Sequence, residues 1–424
     1  MIKNKVAKNA FWIIGCKVAQ AILALIINML TARYLGPSNF GLISYAASLV
    51  AFVVPIMTLG INNVLVNEII KHPDKEGETL GTSLVLTFIS SLFCIAGVSA
   101  FVAVANPGET DTLIVCTLYS LLLIAQSMEI VQYWFQAKLM SKYTSLTMLF
   151  AYVIVSVYKI ILLITGKSVY WFAISNAFDY CIIAIILLII YRKKGGQKLA
   201  FSFPTAKLLF GQGRYYIVSS LMVTIFAQTD KIMLKMMNSN ADVGYYSAAV
   251  TIAGMTSFVF VAIIDSMRPL ILEKKQTDVV AFEKNTSRLY GIIIYLALAQ
   301  SVIITLFAPL CVNILYGADY SPAVSALQIV VWYTTFSYLG SVRNVWILAE
   351  GKQKYLWIIN LSGAIGNIIL NFCLIPSLGI NGAAIASLVT QFFTNVILGF
   401  VMKPILPSNM LMLKGLNIKN ILKK

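Results

Sequence analysis

At 424 residues, 59% hydrophobic and only 11% charged, with a mean hydropathy of +0.84, the chain is too apolar for a water-soluble domain. A net charge of +16 would suit a nucleic-acid partner, but most of the cations fall on one side of a series of apolar runs, so orientation in a membrane is the better reading. A single histidine, His72, and six cysteines without paired spacing exclude a His-rich metal cluster, a zinc or redox motif and a Ser-His-Asp site.

A bilayer core about 30 Å thick is crossed by roughly 20 helical residues, and backbone groups in hydrocarbon must be bonded within their own segment. In chain order, runs of that length occupy 11–34, 40–65, 80–104, 112–136, 143–165 and 169–191, then 215–236, 244–264, 289–307, 323–348, 355–375 and 383–402. They predict an all-α polytopic membrane protein with twelve transmembrane helices. The first run is too long for a signal peptide, is interrupted by Lys17, and is followed by eleven more. Cys16, Cys94, Cys116, Cys181, Cys311 and Cys373 lie in the runs or at their ends, as buried thiols do.

Alternate connections are basic, beginning with Lys3, Lys5 and Lys8 and including Arg192, Lys193, Lys194, Lys198, Lys207 and Arg214, whereas the opposite set holds Arg33 and Lys167. The positive-inside bias therefore places both termini in the cytoplasm. The basic stretch 192–214 contains Gly195, Gly196 and Pro204 and reads as a cytoplasmic linker. It separates an N-terminal six-helix bundle, 1–191, from a C-terminal six-helix bundle, 215–402, with a cytoplasmic basic tail at 403–424.

The halves carry traces of a repeat. Residues 39–46 (NFGLISYA) align with 242–249 (DVGYYSAA), Lys142-Tyr143 with Lys354-Tyr355, and Ala173-Ile174 with Ala384-Ile385, in the same order. Six spans per half bring both halves into the membrane in the same sense, which makes the repeat parallel and predicts two lobes at a central cleft, a transporter device. Gly382 and Ala386, four apart on one helix face, predict close helix packing. Tyr133, Trp134, Tyr191, Tyr215 and Trp332 fall near span ends and read as interface anchors.

Ionisable residues inside the spans are the informative ones: Lys17, Lys159, Lys231, Lys235 and Arg343 against Glu129, Asp179 and Asp230. Each costs about 2.5 to 3.5 kcal/mol at the centre of a spanning helix unless it is paired, snorkelling or wet. Lys17 is shallow enough to snorkel or to face a cavity. Asp179 falls near the midplane, and Lys159, on the neighbouring span, is placed to pair with it. Lys231 and Lys235, four apart, share a face. Glu129 and Arg343 fall toward cytoplasmic ends, where snorkelling is expected. Cations outnumber carboxylates, and Arg33 adds another at an outer end, so a cavity lined by these groups would attract anions.

The string Thr165-Gly166-Lys167-Ser168 resembles the end of a phosphate-binding loop, but Ile161 stands where that motif needs a glycine. No nucleotide and no cofactor is expected, and movement of a substrate would draw on an ion gradient, the membrane potential or the substrate gradient.

Residues 32–41 (ARYLGPSNFG), 58–61 (TLGI), 228–234 (QTDKIML) and 243–249 (VGYYSAA) resemble the Wzx-type oligosaccharide flippases of the polysaccharide-biosynthesis family, in the MATE-like MOP superfamily. The resemblance runs along essentially the whole chain. It implies a MATE-like fold of two six-helix bundles in the bacterial inner membrane and no covalent chemistry. It also implies movement of an undecaprenyl-diphosphate-linked oligosaccharide to the periplasmic leaflet by alternating access, for O-antigen, capsule or another exopolysaccharide, with polysaccharide polymerase machinery as a further partner. Arg33, Asp230 and Lys231 fall in the matching motifs. Lys17, Lys159 and Lys235 join Arg33 and Lys231 as candidate substrate-binding cations by charge and depth, and Asp179 and Asp230 are candidate coupling carboxylates.

Two other readings stay open at this point. A MATE-type drug or cation antiporter would rely on cavity carboxylates, whereas the first span here carries Lys17. A membrane glycan polymerase or ligase would build its chemistry in a large outer loop, whereas the expected outer loops are short. Lipid II flippases of the same superfamily have two more spans than the twelve read here.

Overall fold

The computed structural model describes the backbone of residues 2–417 and the side chains of residues 15–417; Lys3, Lys5, Lys8 and the end of the basic tail lie outside the described side chains. Among the described residues every regular element is helical. Helices satisfy their own backbone groups, which an apolar solvent demands.

The first helix, α1 (Ile2–Met57), is 56 residues long. Straight, it would reach about 84 Å, nearly three hydrocarbon thicknesses. It is broken at Gly36, which adopts a φ of 70° and is followed by Pro37, so α1 holds both of the first two expected spans. There follow α2 (Leu65–Lys71), α3 (Glu76–Ala105), α4 (Thr110–Ser120), α5 (Leu122–Met128), α6 (Gln132–Ala137), α7 (Ser141–Ile164), α8 (Val169–Lys193) and α9 (Phe203–Met237). The chain continues through α10 (Asn240–Gly254), α11 (Ser257–Thr277), α12 (Val279–Tyr316), α13 (Ala323–Ala349), α14 (Leu356–Phe392), α15 (Leu398–Val401) and α16 (Leu406–Gly415).

The turn-back in α14 follows from its own hydrogen bonds. Asn367 and Ser387 are 20 residues apart, which separates them by about 30 Å in a straight helix, yet Nδ2 of Asn367 lies 3.4 Å from the Ser387 hydroxyl. The reversal occurs at Gly379, φ 56°, three residues after Pro376. Gly382 then lies so close to the Leu374 carbonyl that a Cβ would come within 2.4 Å of that oxygen, which is the tight packing its small-residue pattern predicts.

Among the described residues, eight helical stretches are long and apolar enough to cross a membrane, or nine when the α10–α11 pair, bent by 43°, counts as one. Two of these stretches contain the glycine breaks and hold two expected spans each, and α13 covers the tenth, so the helices are consistent with twelve crossings. Large apolar side chains such as Phe93, Val104, Ile164, Leu306 and Val401 are exposed, as lipid-facing positions are. The protein is a multi-pass membrane protein.

The chain forms two compact units, Met1–Gln228 and Thr229–Lys424. Their boundary falls inside α9 rather than ahead of it. In the first unit, the N-terminal part of α9 contributes Leu209 to a core with Leu65, Leu80, Trp134 and Phe135, and Gln212 bonds Glu68. The stretch expected as a cytoplasmic linker is bonded to α3 and the turn before it: Gln197 accepts from the Gly77 amide and donates to the Pro73 carbonyl, and the Thr82 hydroxyl accepts from the Ser202 amide. In the second unit the core includes Tyr290, Ile293, Val342 and Trp346. Part of the expected tail, α16, is docked on α12, where the Tyr290 and Ser408 hydroxyls meet at 2.8 Å.

Two local readings change. Trp134 and Tyr191, expected as interface anchors, are buried and stack edge-to-face with their centroids 4.8 Å apart. The fourth expected span is three short helices, α4 to α6, interrupted at Leu121 and by a 3₁₀ turn at Glu129–Val131. Such breaks survive in hydrocarbon only where other groups meet the backbone. Here the Thr87 hydroxyl of α3 reaches the Ser127 carbonyl at 3.3 Å.

Candidate functional site

In the second unit, Asp230 near the end of α9 is 6% exposed and is the centre of a polar cluster. Its Oδ1 accepts from Nδ2 of Asn367 at 3.0 Å and of Asn371 at 2.7 Å; its Oδ2 accepts from the hydroxyls of Tyr246 and Ser387, each at 2.5 Å. Asn367 and Asn371 are one turn apart and share a face, and the reversal at Gly379 brings Ser387 to the same point. Four donors meet the lone pairs of one carboxylate, which is how a buried charge is tolerated without a cation in contact. Nδ2 of Asn371 also lies 3.0 Å from the Asn367 oxygen, while Oδ1 of Asn371 is buried without a partner.

Lys231 and Lys235 extend from this cluster, Lys231 half-buried and Lys235 at 6% exposure. Lys231 adjoins Asp230, but the carboxylate oxygens are occupied by the neutral donors.

The first unit has a different polar interior. Asp179 of α8 is half-buried with an Oδ1 that is enclosed and without a hydrogen-bond partner. The ion pair expected between Lys159 and Asp179 is not formed; Nζ of Lys159 donates to Oδ1 of Asn176 at 3.0 Å instead, one turn before Asp179 on α8. The two charges remain within electrostatic range of each other.

Glu129, expected to snorkel, is 9% exposed at the 3₁₀ turn and lies within electrostatic range of Asp179. Arg343, also expected to snorkel, is 3% exposed. Its guanidinium donates to the Thr394 carbonyl at 2.6 Å and to Oδ1 of Asn395 at 2.8 Å. Both acceptors belong to a π-helical turn at Phe393–Ile397, where an irregular backbone frees a carbonyl for capture. Depth along a span decides snorkelling only when the side chain faces outward, and these two face their own unit. Lys17 and Arg33, on α1, are exposed. The sequence-derived residues thus divide between the units: Lys17, Arg33, Lys159 and Asp179 belong to the first, and Asp230, Lys231 and Lys235 to the second.

Asn367, Asn371, Tyr246, Ser387 and Glu129 were not singled out from the sequence as site residues. The signal available for the first two was a pair of amides four apart inside an apolar run; Tyr246 falls within the 243–249 motif, and nothing local marks Ser387.

Residues 6–275 match the family model described as polysaccharide biosynthesis protein. The chain belongs to this family. Among curated proteins, it is 27% identical over 241 residues to the uncharacterized membrane protein MJ1068 of Methanocaldococcus jannaschii, a match covering 53% of this chain and 47% of that protein, so it spans about half the length of that relative. It is 24% identical over 401 residues to the capsular polysaccharide biosynthesis protein CapF of Staphylococcus aureus, covering 91% of this chain and 96% of CapF. The protein named "Probable flippase AglR" of Haloferax volcanii is 26% identical over 414 residues, covering 93% of this chain and 82% of AglR. Among solved structures, the lipid II flippase MurJ in an inward closed conformation superposes with a TM-score of 0.71 at 16% identity, over 95% of this chain and 90% of MurJ. An inward-facing multidrug resistance MATE family transporter of the MOP superfamily gives 0.67 at 14% identity, over 93% of this chain and 95% of that one. At such identities the likeness is one of fold, and the expected MATE-like architecture is the one observed.

Proposed function

We propose that the protein is a flippase that moves an undecaprenyl-diphosphate-linked oligosaccharide repeat unit from the cytoplasmic to the periplasmic leaflet of a bacterial inner membrane, by alternating access, for O-antigen, capsule or another exopolysaccharide. Both termini are then cytoplasmic, consistent with the basic connections, and the polymerase that consumes the unit is a partner.

The observation that carries this reading is membership of the polysaccharide biosynthesis family by a chain that keeps cations within its apolar spans. A diphosphate is anionic and a glycan strongly hydrated, so a path across hydrocarbon needs positive charge and polar lining. In this reading Lys17, Arg33, Lys159, Lys231 and Lys235 attract the diphosphate and Asp179 is the coupling carboxylate, whereas Asp230, the other acid expected to couple, has both oxygens met by four donors and serves as an anchor. The fold shared with a drug transporter supports an antiporter only at the level of architecture. No bond is made or broken in the proposed cycle.

The test is complementation of a deletion strain, scoring surface polysaccharide and the lipid-linked intermediate on the inner leaflet. The deletion is expected to abolish the polymer and accumulate the intermediate. Neutralising Lys17, Lys159 or Lys231 should reduce export while the protein stays inserted. Normal polymer in the deletion strain rejects the flippase reading, and normal polymer in all three variants rejects the cationic path.

A further inference from the structure

Around the break between α5 and α6, the first unit buries acceptors that no donor meets. The side chain of Glu129 is nine-tenths buried and makes no hydrogen bond or ion pair among the described residues. Oδ1 of Asp179 is enclosed and unbonded, and so is Oε1 of Gln126, three residues before Glu129. An unbonded buried acceptor costs about 1 to 3 kcal/mol, more when it is charged. Two such acceptors, on α5 and the packed helix α8, together with the buried Glu129 side chain on the 3₁₀ turn between α5 and α6, lack a hydrogen-bond donor among the described residues.

The groups facing them are few. From α7 come Lys159, committed to Asn176, and Tyr152 beside Asp179; from α8 comes Tyr180, in range of both carboxylates and of Tyr119 on α4. Tyr133 of α6 lies in range of Glu129. The break itself is braced from α3 by Thr87.

Charge balance then decides what is missing. With both acids ionised, Glu129, Asp179 and Lys159 sum to a net negative charge inside a membrane-spanning bundle, where an unbalanced charge is expensive. A single proton makes the group neutral and supplies one hydrogen-bond donor, and two neighbouring carboxylates share a proton readily because they cannot both ionise cheaply.

We propose that Glu129 and Asp179 together hold one exchangeable proton in the first unit, a protonation site separate from the Asp230 cluster. The site deepens the coupling role given above to Asp179 and takes its purpose from that reading, but its chemistry has its own test. Loading and release of this proton changes the charge of the first unit by one, at a place where the helix is already broken and can adjust. Asp230, saturated with four donors, has no such vacancy.

The test uses the whole protein in lipid nanodiscs with dicyclohexylcarbodiimide, which captures protonated carboxyls in apolar surroundings. The acid proton passes to a carbodiimide nitrogen and the carboxyl oxygen bonds to the central carbon. Peptide mass spectrometry of wild-type protein should find the adduct on Glu129 or Asp179, with labelling lost as the pH is raised. In Asp179→Asn, Lys159 alone balances Glu129, so labelling of Glu129 should disappear. Wild-type protein that takes no label at either residue at any pH overturns the proposal. So does labelling that is indifferent to pH but suppressed by sodium ions, which would mark a metal-cation site, or undiminished Glu129 labelling in Asp179→Asn. Absence of the adduct beside normal complementation removes the proton site and leaves the flippase; an adduct without complementation does the reverse.

Discussion

The two units bury their acids in opposite ways. In the second, Asp230 is dry and held by four donors drawn from α10 and both arms of α14. In the first, Glu129 and Asp179 sit within range of each other, with Oδ1 of Asp179 enclosed and unbonded and one lysine turned toward an asparagine. Burial alone does not tell a structural acid from an exchangeable one; the number of donors does. A saturated carboxylate is an anchor whose loss strands its partners, and an unsaturated pair is a place where a proton can come and go.

The largest test of that contrast removes the anchor. Asp230→Ala leaves two amides and two hydroxyls buried without their shared acceptor, and a stranded polar group costs about 1 to 3 kcal/mol each before relaxation. A net loss of about 3 kcal/mol or more is expected, read as a drop in the thermal unfolding midpoint of purified protein and in its yield from membranes. Asp230→Asn keeps the volume and should lose less. Equal stability of wild type and Asp230→Ala would show that the four contacts do not act as an anchor.

A second test reaches the same cluster without touching the acid. Gly379 occupies φ 56° and ψ −129°, a region open essentially to glycine. Gly379→Ala should cost about 1 to 3 kcal/mol in backbone strain and pull Ser387 away from Asp230, lowering the unfolding midpoint less than Asp230→Ala does. If the two variants are combined, their effects should fall short of additive because they break one network.

These residues also mark what could be read in the chain. The spans and the family were legible because periodicity, length and motif are local. The Asp230 cluster was half legible: the acid was visible in an apolar run, but its donors stand 16 to 157 residues away. Glu129 and Arg343 were misread because counting residues to a span end measures depth, not direction. Their breaks, a 3₁₀ turn and a π turn, are tertiary choices, made where Thr87 or Arg343 itself can satisfy a freed carbonyl.

A smaller effect is expected on the first unit's break. The Thr87 hydroxyl lies 2.8 Å from the Ser83 carbonyl and 3.3 Å from those of Leu84 and Ser127. Thr87→Val keeps the shape and removes the donor, for a loss of about 1 kcal/mol. Amide hydrogen exchange should quicken in the segment around the break and not around Asp230. Uniform acceleration across both units would argue that the break is not locally braced.

The smallest stability effect belongs to Glu129→Gln, and it sharpens the comparison most. The wild-type side chain makes no hydrogen bond among the described residues, so replacing it strands nothing and removes one buried charge site. The unfolding midpoint should stay within about 0.5 kcal/mol of wild type, while export of the surface polymer, measured in the complemented deletion strain at two external pH values, should lose its response to pH. The sign follows from charge: with one acid gone, Asp179 and Lys159 are already neutral together and have no proton to gain or release. A variant as unstable as Asp230→Ala would make Glu129 a second anchor, and the distinction between the two units would fall.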